Sequence, residues 1–182
     1  MSEAFDNLRA DLASYALHAE NPPSSSAGLV LRVVMLPRLQ AVALFRLCQS
    51  LLPKSAVAAS VVKIVNQMLT GADIAAQATI AGGLSLPHPQ GVVIGPHCVL
   101  GTEVQVMSGV VIGAGPGGSP VIGNDVFLAT HSVLVGNIVI GDHVSIGIGS
   151  VVNQDVPDGG RVRAARSTLL GPKAEPAPEL DA

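Results

Sequence analysis

Between Ile74 and Val152 apolar residues return every six positions, and few architectures accept that period. Ile94, Leu100, Val106 and Ile112 fall six apart, as do Ile122, Leu128, Leu134, Ile140, Ile146 and Val152. Glycine follows several of them: Gly95, Gly101, Gly113, Gly123, Gly141 and Gly147. Four residues after each anchor stands a second apolar or small side chain, among them Cys98, Val104, Val110, Val126, Ser132, Ile138, Val144 and Ser150. A half-buried strand alternates with a period of about two and a helix with about 3.6, so neither explains six. A parallel β-helix does. Each hexapeptide forms one short side, three sides make a coil, and stacked coils cover one another's apolar faces. Composition agrees, because 48% of residues are apolar but only 2% aromatic, as suits a narrow core filled by Val, Ile, Leu and Ala.

Only two places in six point inward, so chemistry is expected where the repeat breaks. It breaks twice. From Ile80 to Ile94 the spacing is fourteen instead of twelve, through Leu86-Pro87-His88-Pro89-Gln90-Gly91. From Ile112 to Ile122 it is ten, through Ala114-Gly115-Pro116-Gly117-Gly118-Ser119-Pro120. Proline and glycine punctuate both stretches.

Several of these residues carry a resemblance. Asp73-Ile74, then Leu86-Pro87-His88 and Gly91-Val92-Val93-Ile94-Gly95, resemble the serine acetyltransferase branch of the hexapeptide-repeat acyltransferases. Gly136-Asn137-Ile138, Gly149-Ser150-Val151-Val152, Val156-Pro157 and Ala165-Arg166 are similar to that family's last coils and the segment after them. The likeness runs from about Pro37 to Arg166. It implies a left-handed parallel β-helix, mainly β, with a short N-terminal α-helical region. It also implies an acetyl-CoA-dependent O-acetyltransferase of the type that serves cysteine biosynthesis, in which Asp73 and His88 take the places of the catalytic Asp–His pair.

Other positions depart from the pattern. Ala75 and Ala76 replace the family's His-Pro, and Pro87 replaces the Asp before the catalytic His. The loop that carries Arg-His-Pro in the family is cut to Gly117-Gly118-Ser119-Pro120. Those residues help hold the ammonium and carboxylate of serine in the family, and a carboxylate needs an Arg fork or equivalent donors. L-serine is therefore expected to be a poor acceptor, unless a helix arginine such as Arg38 or Arg46 supplies the charge. Three readings stand at this point: transfer to serine, transfer to a sugar, another amino acid or a natural-product hydroxyl, and a non-catalytic β-helix scaffold.

An alcohol at neutral pH attacks a thioester only if a base takes its proton. His88 is the candidate base, since imidazole titrates near neutrality, and Asp73 the group that orients its ring. A loop histidine bonded only to backbone is the bland alternative, even with the catalytic one until the resemblance is weighed. No Ser or Cys nucleophile accompanies His88, so transfer is expected to be direct. A backbone N–H between Gly113 and Gly118 is the candidate for holding the developing oxyanion. The resemblance places acetyl-CoA in a groove between neighbouring β-helices, with Gly113, Ala129, Gly147, Ala164, Ala165 and Arg166 as contacts; Arg163 is a further candidate for the phosphates. It also implies a homotrimer whose apolar N-terminal helices pair two trimers.

The chain divides into an N-terminal helical region at 1–70, the β-helix at 71–162 and a tail at 163–182, expected to be largely flexible. Helices are expected over Glu3–His18, Leu29–Met35, Leu39–Leu51 and Ser55–Leu69, with a linker at Asn21 to Ser26. The later helices are apolar nearly all round, which implies burial against partners. Net charge is −3, with no basic face for nucleic acid. Cys48 and Cys98 are too few for a disulfide framework. The apolar stretch Leu29 to Leu52 holds Arg32, Arg38, Arg46 and Pro37, which argues against a membrane span. With no signal-peptide pattern, a cytoplasmic location is expected. His97, His131 and His143 share the fourth place of their hexapeptides, an outward one, and lack the close-spaced pair of the zinc-binding β-helical carbonic anhydrases. No metal is expected.

Overall fold

A computed structural model describes residues 3–18 and 25–165 of the chain. Four helices come first: α1 (Glu3–His18), α2 (Ser26–Met35), α3 (Pro37–Leu51) and α4 (Ala56–Thr70). The first matches the expected span, and α2 begins three residues before Leu29. The Ser25 side chain sets that start by accepting from the Gly28 amide at 3.1 Å. Pro37 begins α3 instead of merely interrupting a helix, as its fixed φ and missing N–H allow at a first turn. Gly71 ends α4 at φ 76°, a left-handed conformation suited to glycine. The expected linker at 21–26 is shortened at its end, since Ser25 caps α2 and Ser26 begins it; residues 19–24 and the tail from Arg166 lie outside the described residues.

After Ala72 the chain winds into a parallel β-helix with three faces. The first stacks Asp73–Ile74, Val93–Ile94, Val111–Gly113, Val133–Val135 and Val151–Val152. The second stacks Thr79–Ile80, Val99–Leu100, Val121–Ile122 and Val139–Ile140. The third stacks Gln105–Val106, Phe127–Leu128, Ser145–Ile146 and Arg161–Val162, and Ser85 bridges to Gln105 in parallel. The six-residue anchors are the inward member of each strand, and Ile94, Leu100, Ile112, Leu128 and Ile146 are at most 1% exposed. The second inward place also holds, since Cys98, Val104, Val110, Ser132 and Val144 are buried at the corners. Corner residues between them adopt positive φ, including His97, Glu103, Asp125, His131 and His143 at 52–64°. Short polar side chains and histidine are enriched in that conformation. This accounts for the three periodic histidines as turn formers on three different corners.

The helical region closes the open end of the β-helix. Carbonyls of the edge strand Thr79–Ile80 and its flanks would otherwise be orphaned. Arg46 donates to the Ile80 and Ala81 carbonyls at 2.7 Å each, and Gln49 donates to Ala78 at 3.0 Å. The Arg46 guanidinium also pairs with Asp11 at 2.8 Å, and the Leu84 amide donates to that carboxylate at 2.8 Å. Helix α1 lies close enough that a Cβ on Gly82 would meet the Ala10 Cβ at 2.5 Å. Helix α4 differs: Val57, Val61, Ile64, Met68 and Leu69 stand exposed along one of its faces. Among the described residues, no helix is long and apolar enough to cross a membrane.

Candidate active site

Both breaks in the repeat become outward loops at corners. Where the third face turns into the first, regular coils use Gln105 to Ser108, and Gly109, His131 and Gly149 donate back to Gln90, Ser108 and Thr130 at 2.9–3.0 Å. In the first coil the same turn must run from Ser85, opposite Gln105, to Gln90. The two extra residues form the Pro87-His88-Pro89 bulge. Pro89 is buried and its carbonyl accepts from Val92 at 3.1 Å, while His88 is exposed between two prolines of fixed φ. The second break is a tight turn at the corner of the first and second faces. Gly115 and Gly118 exchange backbone hydrogen bonds of 2.9 and 3.2 Å there.

Asp73 lies in the first strand of the first face, with its amide donating to the Val92 carbonyl at 2.8 Å. It thus lies one level from the segment that follows His88. No hydrogen bond joins its carboxylate to the His88 ring. Its Oδ1 instead meets Lys63 Nζ of α4 at 2.6 Å, with side chains 33% and 38% exposed. An ion pair that exposed contributes at most about 1 kcal/mol, so exchanging it costs little.

Below the bulge, a groove of about 630 Å³ runs down the same corner. It is lined by Met107, Phe127, Ala129, Ser145, Gly147, Ile148, Arg163, Ala164 and Ala165. Four of the six residues expected to contact acetyl-CoA are therefore brought together. Gly113 is not: it ends a first-face strand and faces a different corner of the prism. A six-residue repeat visits three corners in turn, so matching hexapeptide places need not share one. Arg166 lies outside the described residues. Met107, Phe127 and Ser145 were missed, though Met107, Ala129, Gly147 and Arg163 all follow a third-face anchor and share that signal. Glycine is required at 147, where a Cβ would stand 2.9 Å from the Val162 carbonyl oxygen.

A second cavity of about 370 Å³ opens between α1, the start of α3 and the third face, sharing Phe127 with the groove. Its walls include Tyr15, Arg38, Ser85, Pro87, Glu103 and Gln105. The Arg38 guanidinium lies 4.7 Å over the Tyr15 ring and donates to its hydroxyl at 3.3 Å, as Arg32 does at 3.1 Å. Burial raises the Tyr15 pKa, but the Arg32 hydrogen bond and the charge and hydrogen bond of Arg38 together lower it below the usual tyrosine value. Ser14 Oγ donates to Glu103 Oε2 at 2.6 Å.

Elsewhere, burial pushes the Cys48 and Cys98 thiols up, which leaves both as poor nucleophiles. Among the described residues, no group of three or more His, Cys, Asp or Glu is placed to hold a metal ion.

No protein-family model matches the chain. Curated relatives do. The serine acetyltransferase of Bacillus pumilus is 38% identical over 118 residues, 62% of this chain and 51% of that protein. That of Bacillus subtilis is 39% identical over 105 residues, 55% of this chain and 48% of that protein. The crystal structure of Neisseria gonorrhoeae serine acetyltransferase in complex with serine matches with a TM-score of 0.77. Its identity is 28%, over 91% of this chain and 68% of that one. In sequence and in fold the chain is similar to serine acetyltransferases. Its fold is the left-handed β-helix. It spans about half the length of the curated relatives it matches.

Proposed function

We propose that this serine acetyltransferase-like chain is an acyltransferase that moves acetyl from acetyl-CoA to the hydroxyl of L-serine. The observation that carries the reading is the groove of small residues at one corner, rising to a bulge that presents an exposed histidine. Ala129 and Gly147 leave room for an extended pantetheine arm against the backbone. Acetyl-CoA supplies a thioester carbonyl at the head of that groove. His88 accepts the hydroxyl proton as the oxygen attacks, then returns it to the departing thiolate. Asp73, released from Lys63, turns the ring and balances the imidazolium charge. Arg163, at the foot of the groove, meets the CoA phosphates. The product ester gives serine a leaving group at Cβ, as a step towards cysteine requires, and the enzyme works in the cytoplasm.

The chain acts as a homotrimer, and the exposed face of α4 belongs to the larger assembly of two trimers. A neighbouring prism would bring its Gly113–Gly118 turn to the groove, where one backbone N–H stabilises the developing oxyanion. Light scattering at micromolar concentration should give three or six copies; a stable monomer would exclude the shared site. Thiol release from acetyl-CoA on addition of L-serine, with O-acetylserine identified by mass spectrometry, tests the reaction itself. Release no faster with L-serine than with water would refute the proposal.

A further inference from the structure

The shortened loop at 114–120 holds no arginine, yet the fold brings one from another direction. We propose that Arg38 reads the carboxylate of the acceptor amino acid, with Glu103 facing its ammonium across the cavity beneath α1. This rests on the transferase reading above and assigns the residues of its specificity.

Of the two helix arginines able to supply a charge, Arg46 is spent. It is 2% exposed and its donors go to Asp11, Gln49 and two carbonyls. Arg38 lies two turns earlier on the same helix and lines the 370 Å³ cavity. Among the described residues no carboxylate pairs with it, and the Tyr15 ring and hydroxyl hold its guanidinium in place. It sits in the first turn of α3, whose N-cap residue, Leu36, provides no side-chain hydrogen bond, so the helix end adds positive potential on the same side. Glu103 lines the same cavity from the corner between the second and third faces, its φ of 55° set by the turn. Ser14 holds one of its oxygens, and no cation pairs with it among the described residues. Asp125 also lines the cavity, but its carboxylate is paired with His143 at 2.9 Å. The guanidinium of Arg38 and the carboxylate of Glu103, with no ion-pair partner among the described residues, match a zwitterion, and a neutral sugar hydroxyl would use neither. The chain runs from this cavity's wall at Pro87 directly into His88. Phe127 lines both the cavity and the groove, which places the two side by side on the third face.

Calorimetric titration of the full chain without acetyl-CoA tests this with three probes. L-serine has both charges, ethanolamine lacks the carboxylate, and 3-hydroxypropionate lacks the ammonium. Wild type should bind L-serine at least about 10-fold more tightly than either analogue, the loss expected for one charge-assisted contact. Arg38→Leu should weaken L-serine roughly 10- to 100-fold and leave ethanolamine unchanged. Glu103→Gln should weaken L-serine and leave 3-hydroxypropionate unchanged. Arg38→Lys keeps the charge without the fork and should narrow the serine-to-ethanolamine ratio; it serves also if Arg38→Leu does not fold. Equal losses for L-serine and ethanolamine in the Arg38 variants, unchanged L-serine binding, or no L-serine preference in wild type would each overturn the assignment. The two proposals fail separately. Binding through Arg38 without thiol release removes only the transferase reading. Undiminished serine acetylation by Arg38→Leu removes only this one.

Discussion

The coils from Gly91 onward and the first coil beneath the helices use the same hexapeptide, yet they are closed differently. Each later coil is covered by its neighbours, and its inward places are apolar or small. The first coil has a neighbour on one side only, and a buried arginine–aspartate pair with two helices covers the other. The later coils supply shape and a groove of repeated small residues. The irregular first coil supplies side chains that appear once: His88 on its bulge, Asp73 on its first strand, and Arg38 from the helix laid against it. Periodic sequence builds the scaffold, while the proposed base lies at an interruption of it and the proposed acceptor-reading pair joins a helix residue, Arg38, to a regular corner residue, Glu103.

The sharpest way to separate the two regions is to uncouple them. Asp11→Ala leaves the Arg46 charge buried and unpaired and takes the acceptor from the Leu84 amide, which should cost roughly 3–5 kcal/mol. Hydrogen exchange should then rise in α1, α3 and residues 79–84, while the coils after Gly91 stay protected. Uniform loss of protection would show that the first coil and the rest are one cooperative unit. Leu128→Ala, in a fully buried regular coil, should cost roughly 2–5 kcal/mol by chemical denaturation. Its effect should spread along the stack instead of freeing the helices. Ser55→Ala removes the side chain that accepts from the Ala58 amide at 3.2 Å, and should cost about 1 kcal/mol with fraying confined to the start of α4.

The smallest effect concerns a regular corner. His143 Nδ1 lies 2.9 Å from Asp125, and that hydrogen bond, with the charges of Asp125, Asp142 and Asp158, raises the pKa of the exposed imidazole above 6.5. A raised folded value means that the pair's contribution is complete below the unfolded pKa, near 6.5, and fades as pH rises through the folded one. Proton resonance titration should show His143 titrating above 6.5, and Asp125→Asn should bring it down. An unchanged midpoint would remove Asp125 as the cause.

What was legible in the sequence follows from the same division. Inward places recur at fixed spacing, so the anchors, the corner residues and both loops could be read directly. The two-residue excess before Ile94 located His88 because every extra residue in a closed coil must bulge at a corner. Contacts between the helices and the first coil have no period and could not be read that way. In the sequence Arg46 reads as a charge that breaks an apolar segment or as a substitute cation for the acceptor; its partner, Asp11, lies on another helix. Lys63 gave no sign that it would meet Asp73, because that contact depends on how α4 enters the first strand. Gly113 and Gly147 hold the same place in the hexapeptide, and that place does not distinguish the three corners. Arg38 could be named as a substitute cation, but only the cavity with Tyr15 and Glu103 gives it an acceptor to read.

Proposed catalysis rests on one histidine, His88 at the interruption, and not on the histidines of the regular turns. The direct test is the rate of acetyl transfer from acetyl-CoA to L-serine by wild type, His88→Ala and His131→Ala. His131 turns the same corner two coils further on, outside the proposed machinery. His88→Ala should lose roughly 10²- to 10⁴-fold in rate, as for removal of a general base, with the assembly intact by light scattering. His131→Ala should stay within about two-fold of wild type, as for a surface substitution away from any buried contact. A His88→Ala enzyme as fast as wild type, or an equal loss in both variants, would contradict the account.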